Sequence, residues 1–160
     1  MSRINIICVD DQRDVLTTVS RDLQPLNNHI DIEECESADE TLELIEDLDS
    51  EGKHIAVIIS DHVMPGKSGV ELLKEINEDN RFVNTKKVLL TGLATHQDTI
   101  TAINQAGIDR YLEKPWHAEE LLNNVKELLT AYIMESGLNY EKYMDVLDQP
   151  TLLNHLRKRH

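Results

Sequence analysis

The sequence predicts an α/β sandwich built on a parallel sheet, and three observations carry that expectation. Short apolar, β-branched runs alternate five times with stretches whose apolar residues recur at helical spacing. The connections are short, and consecutive parallel strands need helical crossovers of this kind. The strand-like runs also end in acids, a hydroxyl and a lysine rather than in more apolar residues.

The chain has 160 residues, enough for one domain with an appendage. Aromatic content is 4%, so the core must be made mainly of Ile, Leu, Val and Ala. Thirty acidic residues against 16 basic ones give a formal charge of −14. Such a surface repels phosphate backbones, which argues against direct binding of nucleic acid or an anionic membrane. Cys8 and Cys35 both fall in expected strands and are read as small core residues of a reduced, cytoplasmic protein. No signal-peptide h-region is read after Met1, and no apolar run has the ~18 residues a membrane span needs.

In chain order, residues 4–9 form an apolar strand that runs straight into Asp10 and Asp11. A helix follows on Val15, Leu16, Val19 and Leu23 and stops near Pro25. Ile30, Ile32 and Cys35, interrupted by Asp31 and Glu33, read as an edge strand. Ser37 with Glu40 predicts a capping box for a helix carrying Leu42, Ile45 and Leu48, ended by Gly52. The third strand is the most apolar, with Ile55, Val57, Ile58 and Ile59, and it ends at Asp61 before Pro65, Gly66 and Gly69 break it. Ser68 with Glu71 caps the next helix, which carries Val70, Leu72, Leu73 and Ile76.

A fourth strand over residues 87–91 ends at Thr91. Thr95 and Asp98 open a weaker helix with Ile100 and Ile103, ending at Gly107. Residues 109–112 form a short fifth strand, followed by Glu113, Lys114 and Pro115. The last helix of the repeat places Leu121, Leu122, Val125, Leu128, Leu129 and Tyr132 on one face.

If the strands point the same way, Asp10, Asp11, Asp61, Thr91 and Lys114 converge at one edge of the sheet. Three carboxylates do not share a small site without a cation, and oxygen ligands suit Mg²⁺. A metal, a nucleophilic carboxylate, a lysine and a hydroxyl together suit phosphoryl transfer onto Asp61. Taken singly, Thr91 is a strand-end residue, Lys114 a surface charge and the Asp pair a helix cap. All five landing on one edge is what makes the set informative.

The ordered motifs resemble the receiver domains of response regulators in bacterial two-component signalling. The matching residues are Val9, Asp10 and Asp11; Asp61 followed by Met64, Pro65, Gly66 and Gly69; Thr91 and Gly92; and Tyr111 with Lys114 and Pro115. The resemblance covers about residues 4–133. It implies a flavodoxin-like (βα)5 doubly wound sheet with strand order 2-1-3-4-5. It implies that Asp61 accepts phosphate from a histidine kinase, a phosphotransfer protein or a small phosphodonor. Asp10, Asp11, Asp61 and the backbone carbonyl of Val63 would hold Mg²⁺, Thr91 and Lys114 would contact the phosphoryl group, and Tyr111 would be the switch aromatic. The bond before Pro115 is expected to be cis. Phosphorylation would draw Thr91 inward and change the surface of helix four, strand five and helix five, which meets a downstream protein effector. On this reading the chain is a switch rather than an enzyme.

Gly92 fits a position where a small residue admits the phosphoryl group. Val63 and Leu93 occupy positions that influence self-dephosphorylation in the family, and neither can orient water, so a long-lived phospho-Asp61 is expected. His62 is expected to be an exposed bystander, because neighbouring strand residues point to opposite faces. Trp116, the only tryptophan, is expected to pack at the start of helix five.

Residues 1–133 are expected to form the receiver and residues 134–160 a helical extension or linker. One short helix would carry Leu138, Tyr140, Tyr143, Met144 and Leu147. Another, after Pro150, would carry Leu152, Leu153 and Leu156 and end in Arg157, Lys158 and Arg159. This tail either folds back or makes a homodimer contact, or else it begins a linker to an output domain of a longer regulator. Two rival readings are a phosphate-independent adaptor, which the complete acid, hydroxyl and lysine set opposes, and a haloacid-dehalogenase-type hydrolase, which would want an acid where Val63 stands. A dinucleotide site is excluded, since no G-x-G-x-x-G follows the first strand.

Overall fold

Strand β3 (His54–Asp61) runs through the centre of the molecule, and every residue from Ile55 to Asp61 is buried. In the computed structural model, which describes residues 3–93 and 96–158, β1 (Ile4–Val9) and β4 (Lys86–Thr91) flank it. β2 (Ile30–Cys35) and β5 (Arg110–Glu113) form the edges. All pairings are parallel, and the order is β2-β1-β3-β4-β5, as the flavodoxin-like expectation requires. The polar interruptions of β2 belong to its place at the edge, where Asp31 to Glu34 are partly exposed.

Alternation along the strands supplies two cores. On one face, Ile4, Ile6, Cys8, Val57 and Ile59 pack with α1 (Arg13–Asp22) and α5 (Ala118–Glu135). On the other, Ile7, Val9, Ile58 and Leu89 meet α2 (Ala38–Ser50), α3 (Gly69–Asn77) and α4 (Gln97–Ala106). Cys8 and Cys35 are free and buried. Burial pushes the Cys35 thiol up to about 11. No helix among the described residues is long and apolar enough to cross a membrane.

The helix starts follow local chemistry, with two differences from expectation. At α3 the Ser68–Glu71 capping box is complete. At α2, Ser37 Oγ accepts the Glu40 N–H, but the Glu40 carboxylate accepts from Glu36 N rather than closing the box on Ser37. Thr95, expected to open α4, lies outside the described residues, and His96 occupies the N-cap. Gly107 ends α4 in the left-handed region at φ +67°.

The tail folds back. Its first segment is a 3-10 helix over Tyr140–Val146 rather than an α-helix. Tyr140, Tyr143 and Val146 recur every third residue, which matches the 3-10 repeat and keeps them on one side. α6 (Gln149–Lys158) begins before Pro150, which sits in the first turn where its missing N–H costs nothing. Asp148 Oδ2 accepts the Thr151 N–H at that start. Val146, Leu147 and Leu152 are buried in the same cluster as α1 and α5, with Leu138, Tyr140, Tyr143 and Leu156 packed against it. Asp148 N–H also donates to Thr130 Oγ1 of α5 at 2.9 Å. Tyr143 stacks edge-on to His29, just before β2, which places the extension at the amino end of the strands. Arg159, the last of the expected basic cluster, lies outside the described residues.

Candidate functional site

The carboxyl edge of the sheet gathers most of the predicted residues. Asp10 and Asp11 follow β1, Asp61 closes β3, Thr91 closes β4, and Lys114 follows β5. Ligand oxygens of Asp10, Asp11 and Asp61 all lie within 4.8 Å of one another. Asp10 and Asp61 are buried, whereas Asp11 is exposed. Lys114 Nζ pairs with Asp61 Oδ1 and stands 3.7 Å from Asp10 Oδ2. The peptide bond between Lys114 and Pro115 is cis, as expected.

The strand ends are held by main-chain bonds that cross the loops. Asp10 N–H donates to Cys35 O, His62 N–H to Leu90 O and Lys114 N–H to Thr91 O. Gly69 N–H donates to His62 O at 2.8 Å, bringing the start of α3 against the end of β3. A Cβ at Gly69 would lie 1.9 Å from the Asp61 carbonyl oxygen, so only glycine fits.

Charge is unbalanced here. One lysine against three carboxylates leaves two negative charges uncompensated. Burial, and then the nearby Asp61 charge, push the Asp10 carboxyl above the usual carboxylate range. Asp10 Oδ1 accepts the Gln12 N–H, but Oδ2 is buried without a hydrogen-bond partner among the described residues. An orphaned buried oxygen, two neighbouring carboxylates and an all-oxygen donor set fit a hard divalent cation.

Thr91 lies at the same edge and is buried, but its hydroxyl is engaged elsewhere. Thr91 Oγ1 accepts the Leu93 N–H at 2.9 Å and lies 2.8 Å from His62 Nδ1. His62 is therefore not the exposed bystander the alternation argument expects. β3 ends at Asp61, so the side-chain direction of His62 is set by the turn and not by the strand. Burial lowers the His62 pKa from its ordinary value, with Asp61 opposing in part.

Val63 is 68% exposed and Leu93 lies at the rim, so no polar side chain stands at either position. Tyr111 is 45% exposed on the edge strand, with its ring outside the core. Trp116 packs against the α1 and α5 cluster, and its indole N–H donates to Asp22 Oδ2 on α1 at 2.9 Å, a partner that sequence reasoning missed.

Comparison with known proteins agrees with this geometry. Residues 6–126 match the response regulator receiver domain, and the chain belongs to that family. Over 85 residues it is 33% identical to the hydrogenase transcriptional regulatory protein HoxA of Cupriavidus necator, covering 53% of this chain. The chain spans only 17% of that relative's length. It is 27% identical over 126 residues to the chemotaxis protein CheY1 of Helicobacter pylori, covering 79% of this chain and 97% of the other. The signal receiver domain of an HD domain-containing protein from Pseudomonas fluorescens superposes with a TM-score of 0.71 at 28% identity, over 86% of this chain and 94% of that one. The protein is thus a receiver of the two-component kind.

Proposed function

We propose that this receiver is switched by Mg²⁺-dependent phosphorylation of Asp61. The observation that carries the reading is the convergence of Asp10, Asp11, Asp61 and Lys114 at one sheet edge within a receiver fold. Asp61 attacks the phosphorus of a phosphohistidine on a sensor kinase or phosphotransfer protein, or of a small acyl phosphate. The bond to the donor breaks, and the leaving imidazole or carboxylate keeps the electron pair. Asp10, Asp11, Asp61 and the Val63 carbonyl would hold the metal, which supplies charge neutralisation when bound. Lys114 neutralises a second side of the phosphoryl group, and Thr91 donates a hydrogen bond to one of its oxygens.

The aspartyl phosphate adds close to two negative charges at a site already in excess. Thr91 moves toward them, Tyr111 turns inward, and the surface of α4, β5 and α5 shifts to favour a protein effector. The chain acts as a cytoplasmic switch rather than a turnover enzyme. With Val63 and Leu93 both apolar, self-dephosphorylation is slow. HoxA by its name regulates transcription and CheY1 serves chemotaxis; this chain carries the receiver step common to both.

Intact mass after incubation with Mg²⁺ and acetyl phosphate tests the reading. A gain of one phosphoryl group in the wild type, absent in Asp61→Asn, is the expected result. No gain, with the fold and Mg²⁺ binding intact, would leave two choices: strict dependence on a cognate kinase or a phosphate-independent adaptor. Val63→Asn or Leu93→Glu should hasten decay of the phosphorylated form, and unchanged lifetimes would remove the role given to these positions.

A further inference from the structure

We infer that His62 is a positioning residue that holds Thr91 back from the phosphorylation site. The inference rests on the phosphorylation reading above. Thr91 has a single hydroxyl, and in this structure that group is paired with the Leu93 N–H and the His62 ring rather than with any of the three carboxylates. Leu93 N–H donates to Oγ1 at 2.9 Å and His62 Nδ1 lies 2.8 Å from the same atom. Oγ1 already accepts the Leu93 N–H, and with its one proton donated to His62 Nδ1 none remains for a phosphoryl oxygen on Asp61, so donating to the phosphoryl group means giving up the bond to His62. Breaking a hydrogen bond in a half-buried place is a cost borne by the phosphorylated state alone. His62 therefore biases the equilibrium toward the unphosphorylated arrangement without touching the phosphoryl group.

The geometry also explains how a residue next to the phosphoacceptor acts through the neighbouring strand. The His62 main chain is fixed at both ends, its N–H to Leu90 O and its carbonyl to Gly69 N–H. The ring consequently projects from a rigid corner toward the end of β4. Beside it opens a cleft of about 420 Å³ lined by Val70, Leu93, His96 and Thr99 among others. Truncating the ring enlarges an open cleft instead of creating a sealed cavity, so variants at this position should fold.

The test is affinity for beryllofluoride with Mg²⁺, together with the initial rate of phosphorylation by acetyl phosphate, in His62→Ala, His62→Asn and His62→Gln. Removing the bond in His62→Ala or His62→Gln should raise both readouts about fivefold, the worth of one ordinary hydrogen bond. Asn places a polar atom where Nδ1 stands, so His62→Asn should stay within about twofold of the wild type. In a Thr91→Val background the His62→Ala gain should vanish, a result that a merely structural role would not produce. An unchanged or lowered affinity in His62→Ala, or a gain that persists with Val at position 91, would overturn the inference. A wild-type chain that neither binds beryllofluoride nor takes up phosphate would instead overturn the phosphorylation reading itself.

Discussion

The two ends of the sheet treat buried polar groups in opposite ways. At the amino end, Asn5 Nδ2 donates to His54 O, Thr85 Oγ1 to Ile55 O, and buried Lys87 Nζ to Thr85 O. Thr130 Oγ1 donates to Lys126 O and accepts from Asp148, and the extension seals the surface with Val146, Leu147 and Leu152. At the carboxyl end three carboxylates face one lysine, and Asp10 keeps a buried oxygen without a partner. The difference separates what stabilises the domain from what it does. The buried polar groups named at the amino end are paired within the protein, whereas the carboxyl end keeps charge that the described residues do not balance.

The strongest test of this contrast is deletion of residues 138–160. Loss of Val146, Leu147 and Leu152 from the core should cost roughly 5 kcal/mol or more, comparable with the stability of a whole domain. Thermal unfolding should shift down by more than about 10 °C or lose its cooperativity. A truncated chain that melts with the full one would show that the amino end needs no seal. Sedimentation of the same variant separates this from the homodimer reading, in which the particle mass falls.

Gly69→Ala probes the opposite end. A methyl 1.9 Å from the Asp61 carbonyl forces β3 and α3 apart, so it should cost about 1–3 kcal/mol and abolish phosphorylation together. Normal phosphorylation of that variant would mean that the junction tolerates displacement. Asp10→Asn should act in the other direction on stability. Burial and Asp61 raise the Asp10 carboxyl above its unfolded value, so its contribution is present below the ordinary carboxylate range and lost as pH rises through the folded value. At neutral pH without metal, removing that charge should therefore stabilise the protein by about 1 kcal/mol. The Mg²⁺-dependent rise in melting temperature should shrink in the same variant.

The smallest effect is expected at Lys87, where burial lowers the ammonium pKa while Asp109 opposes. The unfolded chain binds this proton more tightly, so stability rises with pH through the window between the folded value and 10.5. Lys87→Met should stabilise by at most about 1 kcal/mol at pH 7, with the gain fading toward pH 10. Equal gains at both pH values would mean that the lysine's charge is already well solvated.

Most of this was legible in the sequence because the central strands are sealed on both faces and read as apolar runs with polar residues only at their ends. Asp10, Asp11, Asp61 and Lys114 could be gathered from topology alone, since parallel strands bring their carboxyl ends to one edge. What failed was direction beyond a strand's last residue. His62 was placed by extending β3 one residue too far, and its bond to Thr91 depends on the turn toward Gly69. The Trp116 to Asp22 bond joins residues 94 positions apart, which no local pattern encodes. In the tail, apolar spacing predicted amphipathic helices, and the three-residue recurrence of Tyr140, Tyr143 and Val146 that marks the first as a 3-10 segment was the finer signal missed.

That indole bond makes the chain its own optical gauge. Trp116 is the sole tryptophan, it lies two residues beyond Lys114, and its ring is pinned to α1 through Asp22. Movement of the lysine toward an incoming anion should therefore alter the ring's surroundings. Emission from this one fluorophore should then change when Mg²⁺ and beryllofluoride are added to the unlabelled protein, and unchanged emission would show that the ring and the acid cluster are uncoupled.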